Sequence, residues 1–174
     1  MLDYNYNKIL TNSIKKKLQT LFKSFGYFIG SIFYGRINGV IDSKNHESIE
    51  ILNQLLDQKY SYNIYKMKKT RLYTDTVNDT AFIIGKKIIK GPSYQYRSIK
   101  LKDIKNSNVK DNIVFEKGTS RVKKNFRGTV LSLLTGGAGN SNYWHWLFDV
   151  LPRFKILENQ YNFNDIDYFL FPDT

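Results

Sequence analysis

The sequence predicts an α/β fold with a parallel sheet, because its last quarter runs strand, glycine-rich loop, helix and strand. Residues 129–134 and 166–171 are nearly continuous apolar runs, as in strands that are buried on both faces. Between them lie a glycine-rich loop at 135–142 and a helical pattern at about 143–159. Two such strands joined by a helix form the βαβ unit of a parallel sheet. A doubly wound sheet needs more strands, so we expect these 174 residues to be the N-terminal part of a longer protein.

The middle of the chain, residues 60–127, is rich in predicted strands. Residues 81–85 and 88–89 are short apolar runs that flank two lysines, which indicates a hairpin or bend. Residues 113–115 predict another short strand. Before this region, residues 45–60 predict a short helix, because four large apolar residues fall on one side of it.

A longer helix is predicted near the N-terminus, at residues 13–36. Its large apolar residues recur at three- and four-residue spacing: Leu18, Leu21, Phe22, Phe25, Ile29, Ile32 and Phe33. Lysines flank this stripe, and the uncharged stretch 24–35 is 12 residues long, whereas a bilayer span needs about 20. The helix is expected either to lie on an anionic membrane surface or to pack on the rest of a larger protein. We divide the chain into a basic amphipathic helical arm at 1–44 and an incomplete α/β domain at 45–174.

The charge of the chain is strongly positive but unevenly distributed. Lys and Arg number 27 against 15 Asp and Glu, a formal charge of +12, yet residues 128–174 hold 2 basic and 5 acidic side chains. Residues 71–127 hold 14 basic and 5 acidic side chains, which keeps open a non-catalytic module that binds anionic polysaccharide or nucleic acid. However, the 21 lysines far exceed the 6 arginines, and nucleic-acid readers favour arginine for bidentate contacts. The primary prediction is therefore a protein without a nucleic-acid partner.

The cysteine and histidine content excludes several kinds of site. The chain has no cysteine, which removes disulfides, thiolate zinc sites and cysteine nucleophiles. It has only two histidines, His46 and His145, which argues against a histidine-built metal site. The expected site therefore contains no metal.

The predicted helix after the glycine-rich loop carries three side chains with acid–base or anion-binding chemistry. His145, Asp149 and Arg153 are four residues apart, which places them on one helix face. A carboxylate one turn from a histidine can orient the ring and favour its protonated form. This arrangement suits a general base, which gains a proton during the reaction. The same spacing also fits an ordinary Asp–Arg ion pair beside a structural histidine. Another face is expected to enter the core: Tyr143, Leu147, Val150, Leu151 and Phe154.

The glycine-rich loop and Pro152 frame this helix. Gly136, Gly137 and Gly139 permit a tight turn, and free N–H groups at the following helix start favour an anion or a hydroxylated ligand. A plain strand-to-helix turn explains the same glycines. Pro152 has no backbone N–H, so it is predicted to kink the helix or to mark a junction.

Residues 140–153, Asn-Ser-Asn-Tyr-Trp-His-Trp-Leu-Phe-Asp-Val-Leu-Pro-Arg, resemble the signature of glycosyltransferase family 61. Members read Asn-Tyr-Tyr-His-Trp-Leu, then an acidic residue, then Leu-Pro-Arg, so Trp144 is a mild departure. The strong resemblance covers about residues 128–172. It implies the N-terminal Rossmann-like, acceptor-side half of a GT-B-type glycosyltransferase, with a strand-rich insertion and an N-terminal amphipathic helix. A donor nucleotide domain would follow Thr174.

The resemblance also implies a reaction and roles for individual residues. A sugar would pass with inversion from a nucleotide sugar to a glycan or lipid-linked acceptor, as in surface or capsular polysaccharide biosynthesis, with no cofactor and no metal. His145 or Asp149 would take the acceptor proton, and Arg153 would support charge on the leaving diphosphate or position Asp149. Substrate would be held by Gly136, Gly137, Gly139, Asn140, Asn142, Tyr143 and Trp146. We expect a cytoplasmic protein, peripheral on the inner membrane face, and the alternative is an inactive fragment.

Overall fold

The chain has the mixed α/β architecture that its sequence predicts. The computed structural model describes residues 2–55, 61–76, 79–95, 108–119, 122–134 and 143–171. The helices are α1 (Leu2–Tyr34), α2 (Ile113–Lys117), α3 (Tyr143–His145) and α4 (Leu151–Glu158), with a π-helical segment at Trp146–Val150 between the last two. The strands are β1 (Gly39–Asp42), β2 (Ile49–Leu55), β3 (Ser61–Met67), β4 (Arg71–Thr76), β5 (Asp79–Ile84), β6 (Lys87–Lys90), β7 (Tyr94–Gln95), β8 (Val130–Ser132) and β9 (Tyr168–Leu170).

The largest sheet of the described residues has five strands, in the order β1-β6-β5-β4 with β7 paired to β5. β1 and β6 are parallel, and the other pairs in this sheet are antiparallel. The hairpin predicted within residues 81–89 is confirmed, because β5 and β6 are antiparallel and joined by a tight turn at Gly85 and Lys86. This sheet carries the main apolar core: Ile37, Tyr73, Ala81, Ile83, Ile88 and Val114.

The helix predicted at residues 13–36 is present as α1, which begins earlier, at Leu2. Its C-terminal end is tied to the domain, because the Tyr34 hydroxyl accepts a hydrogen bond from the Lys123 N–H at 2.9 Å. β1 follows and pairs with β6, so the region assigned to an arm at 1–44 includes one strand of the main sheet. No helix in the described part of the chain is long and apolar enough to cross a membrane.

The helix predicted at residues 45–60 is wrong. Residues Ile49–Leu55 form β2, which pairs antiparallel with β3 along its whole length. Asn53 and Asn63 face each other in this pair, and their side chains hydrogen-bond at 3.1 Å. The apolar spacing suited a helix, but a partner strand that begins at Ser61 satisfies the backbone of these residues and overrides that local signal.

The strand predicted at residues 113–115 is also wrong, because these residues begin α2. The Asn112 side chain accepts from the Val114 N–H at 3.2 Å and caps the helix. Asp79 Oδ1 accepts from the Ile113 N–H at 2.9 Å, which satisfies a second free donor at the helix start. A side chain 34 residues away therefore decides the conformation of this segment.

The predicted strand–helix–strand unit in the last quarter is confirmed. β8 and β9 are parallel, with Val130 opposite Tyr168 and Ser132 opposite Leu170. The intervening helical segments run from Tyr143 to Glu158. Gly128 lies two residues before the start of β8. Its φ of +128° is unfavourable for other residues, and a side chain there would collide with the Asp167 carboxylate.

Full burial of these two strands on both faces is not observed. A small core of Leu133 and Val150 covers one face of the unit, with Leu131, Trp146 and Phe154 packed against it. The other side is more open, because Tyr168 is 40% exposed; Phe126 makes an edge-to-face contact with it, at 5.0 Å between ring centroids. The described part of this sheet has two strands and a helical layer on one side, so half-burial follows.

Candidate active site

The helix that carries the candidate residues contains a π-helical segment where the sequence has a proline. The Leu151 N–H bonds to the Trp146 carbonyl, five residues back, as in a π turn. Pro152 stands next, in the first turn of α4, where a missing N–H is tolerated. The junction predicted at Pro152 is therefore confirmed. Single π turns inside helices are frequent at functional sites.

The π segment also changes which residues enter the core. Val150 is buried and Phe154 packs beside it, as predicted, but Tyr143 and Leu151 are exposed. The fifth residue of the predicted face, Leu147, is half-buried. The predicted face assumes 100° per residue, whereas a π turn has more residues per turn. The predicted core face is therefore wrong for the two residues on either side of the π segment.

His145 and Asp149 are in direct contact, as their spacing predicts. The His145 Nδ1 and Asp149 Oδ2 atoms lie 2.5 Å apart, and the two side chains are 35% and 40% exposed. A carboxylate is an acceptor, so an Nδ1–H donor fits this pairing and Nε2 is the ring nitrogen left for a proton from a ligand. The pair combines an oriented imidazole with access from solvent.

Arg153 continues this face and ties the helix to the end of β8. Its Nη1 donates to the Leu133 carbonyl at 3.0 Å, one residue beyond the strand. Burial lowers the pKa of Arg153 from its ordinary value, and the charge of Asp149 acts in the opposite direction. The guanidinium remains charged and places a cation next to the carboxylate that contacts His145.

The structure places the two aromatic residues predicted to bind substrate in different surroundings. Trp146, a predicted substrate-binding residue, packs against the Leu133 and Val150 core and contacts Phe171 at 5.6 Å between ring centroids. Tyr143, the other predicted aromatic, is exposed. Sequence reasoning missed Trp144 and Phe148 as a pair, although their four-residue spacing signals it.

Trp144 and Phe148 form an exposed aromatic surface next to the acid–base pair. Their ring centroids are 4.3 Å apart, and both side chains are more than half exposed. They precede His145 and Asp149 by one residue each, so they occupy the neighbouring strip of the helix. Exposed aromatic faces of this kind suit the apolar side of a ring-shaped ligand.

The five predicted loop residues Gly136, Gly137, Gly139, Asn140 and Asn142 lie outside the described residues. The strand end that leads into them is held in place, because the Leu134 carbonyl accepts from the Thr80 hydroxyl at 3.0 Å. His145 follows on the helix that comes after this loop. The candidate site therefore lies at the carboxyl end of a parallel strand, where α/β proteins commonly bind ligands.

Two cavities lie elsewhere in the described structure. One of about 380 Å³ is lined by polar and apolar residues around Ser43 and Tyr65. The other, of about 250 Å³, carries three cations, Lys69, Arg71 and Lys123. We call the second one the basic cavity. Neither of these two cavities is lined by His145, Asp149 or Arg153.

Arg71 is the cation of the basic cavity that contacts both Tyr34 and Thr119. Its guanidinium lies 5.4 Å from the centre of the Tyr34 ring, and its Nη1 donates to the Thr119 hydroxyl at 3.3 Å. Burial lowers the pKa of Arg71 from its ordinary value. Within the described residues, no acidic side chain lines this cavity and the buried Nη2 atom has no hydrogen-bond partner.

Comparisons with known proteins do not assign this chain to a family. The chain matches no family model, no curated protein and no solved structure. Among the described residues, no group of three or more His, Asp or Glu side chains could hold a metal ion.

Proposed function

We propose that this chain is part of an inverting glycosyltransferase that resembles family 61 and moves a sugar from a nucleotide sugar to a glycan or lipid-linked hydroxyl. The observation that carries the proposal is the 2.5 Å contact between His145 Nδ1 and Asp149 Oδ2, on the helix after β8. In this proposal, the β8–β9 unit belongs to a Rossmann-like, acceptor-side half of a GT-B enzyme. The resemblance of residues 140–153 to the family signature supports the same reaction.

The proposed step transfers one proton and exchanges one bond at the anomeric carbon of the donor. The acceptor O–H gives its proton to Nε2 of His145, and its oxygen forms a bond to the anomeric carbon of the donor sugar. The bond from that carbon to the diphosphate oxygen breaks, and the nucleoside diphosphate leaves with the electron pair. Attack from the side opposite the leaving group inverts the configuration. Asp149 orients the ring and stabilises the imidazolium that forms.

The neighbouring residues have supporting roles in this proposal. Arg153, held by the Leu133 carbonyl, places its positive charge near the Asp149 carboxylate that contacts His145. The exposed rings of Trp144 and Phe148 offer an apolar surface for the acceptor sugar beside the base. Because the pair is solvent-accessible, a long glycan or lipid-linked chain can reach it without entering a deep pocket.

The test is a transfer assay with the protein expressed from its complete reading frame. It is incubated with UDP-, GDP- and dTDP-sugars, with and without a detergent extract of host membranes as the source of acceptors. We expect one donor to release its nucleotide in an acceptor-dependent manner, and NMR of the product to show an inverted anomeric configuration. The proposal fails if no donor releases nucleotide above the rate without protein, or if the configuration is retained.

The basic cavity favours a second candidate function, the binding of an anionic polysaccharide without catalysis. Three cations without an acidic neighbour among the lining residues are expected to attract a polyanion. Lys69→Ala and Lys123→Ala should each weaken binding to dextran sulfate and make the dependence of affinity on salt less steep. Lys44→Ala, at the other cavity, is the matched control. Equal affinity and salt dependence in all four proteins would exclude this candidate.

A further inference from the structure

We propose that α1 lies on the surface of an anionic membrane, with its exposed aromatic and aliphatic side chains inserted among the lipids. This inference is independent of the sugar-transfer proposal, since it uses no residue of the candidate active site. The helix is 33 residues long, and its side chains are described from Ser13 onward.

The first observation is an unusual degree of exposure on one side of α1. Six large apolar side chains, which we call the apolar face, are between 61% and 75% exposed: Leu21, Phe22, Phe25, Phe28, Ile32 and Phe33. At 100° per residue, all six fall within an arc of about 140°, on one side of the helix. Contiguous apolar surface of this kind is rare on soluble monomers and marks an interaction site.

The second observation is that the opposite side of α1 is already used by the domain. Gly30 is buried, and Tyr34 bonds to the Lys123 N–H at 2.9 Å while its ring lies under the guanidinium of Arg71. Tyr34 comes nine residues after Phe25, which at 3.6 residues per turn is about half a turn away. The contacts of Tyr34 therefore hold the C-terminal part of the helix with its apolar face pointing away from the domain.

The positive charge around the apolar face favours an anionic membrane as its binding partner. Lys15, Lys16, Lys17 and Lys23 lie on this helix, and the sequence has six basic and no acidic residues between positions 4 and 41. At 100° per residue, Lys15 and Lys17 border the apolar face on its two edges, where their stems can reach the lipid headgroups. A second copy would bring two positively charged helices together, whereas an anionic bilayer supplies both apolar contact and opposite charge.

The experiment measures sedimentation of the whole chain with vesicles. Vesicles of phosphatidylcholine mixed with phosphatidylglycerol are compared with vesicles of phosphatidylcholine alone. We expect the protein to sediment with the anionic vesicles and much less with the neutral ones. Replacing both Lys15 and Lys17 with Gln should lower the partition coefficient on anionic vesicles by about fivefold for each lysine.

The apolar contribution is tested by a double variant, Phe22→Ser with Phe25→Ser, which should lower binding to anionic vesicles by at least about tenfold. Phe126→Ser is the matched control, because Phe126 is an exposed phenylalanine outside the helix. Far-ultraviolet circular dichroism and thermal denaturation establish that the variants are folded. The inference is overturned if the double variant sediments like the control, if neutral vesicles bind equally well, or if the Phe22 and Phe25 changes instead abolish a dimer seen by analytical ultracentrifugation.

Discussion

Replacing His145 with alanine is expected to lower the rate of sugar transfer by about 10²- to 10⁴-fold, the usual contribution of a general base. In the proposed step, only Nε2 of this ring accepts the acceptor proton, and the contact with Asp149 through Nδ1 sets the orientation of that nitrogen. The loss should fall mainly on kcat, because the proton moves in the transition state. Initial rates of nucleotide release at saturating donor and acceptor measure it.

His46→Ala is the matched control for this prediction. His46 is the other histidine of the chain, and its Nδ1 accepts a hydrogen bond from the Ser48 N–H at 3.2 Å, far from the candidate site in sequence. Asp149→Asn should also reduce kcat, because it removes the charge that stabilises the imidazolium. Transfer at the wild-type rate by folded His145→Ala protein would refute the base assignment, while loss of activity in His46→Ala would point to a general effect on folding.

Replacing Asn112 with leucine is expected to lower the free energy of unfolding by about 2–4 kcal/mol. Asn112 is 1% exposed, and its amide donates to the Tyr94 carbonyl at 3.2 Å and to the Thr80 carbonyl at 3.4 Å. Its Oδ1 also caps α2 through the Val114 N–H. Leucine has a similar length, so it removes these bonds without a large cavity and leaves buried polar groups with fewer partners. Urea denaturation measures the change through its midpoint.

Asn108→Leu separates the effect of burial from that of capping. Asn108 caps the short 3-10 helix Val109–Asp111 in the same way, by accepting from the Lys110 N–H at 3.0 Å, but it is exposed. Its replacement should cost only about 0.5–1 kcal/mol, as for an exposed cap. Equal losses in the two variants would mean that the buried bonds of Asn112 to the β5 and β7 carbonyls contribute nothing.

The local sequence pattern was sufficient to predict the structure wherever contacts between residues close in the sequence determine it. The hairpin at Gly85 and Lys86 follows from two apolar runs and a short polar break between them. The contact of His145 with Asp149 follows from four-residue spacing on a helix. The order of β8, helix and β9 follows from apolar runs whose length suits a strand. These features require few partners from elsewhere in the chain.

Long-range contacts decided the segments where prediction was wrong. Residues 49–55 have helical apolar spacing, yet β3 pairs with them, and residues 113–115 resemble a strand, yet Asp79 and Asn112 cap a helix there. At the π segment, Tyr143 and Leu151 are exposed, although they were predicted to enter the core. In each case, the outcome depends on a hydrogen-bond partner or a change of helical pitch that apolar spacing does not encode.

The sequence by itself determined where the charged and titratable side chains lie along the chain: the acidic last quarter, the spacing of His145, Asp149 and Arg153, and the lysines around an apolar N-terminal stripe. The tertiary structure decided which of these surfaces face solvent. It tied Arg153 to the end of β8 and used the opposite side of α1 for contacts with the domain, which leaves the apolar face exposed. The physical reason is that periodicity defines a face, while only packing against distant residues determines whether that face is covered.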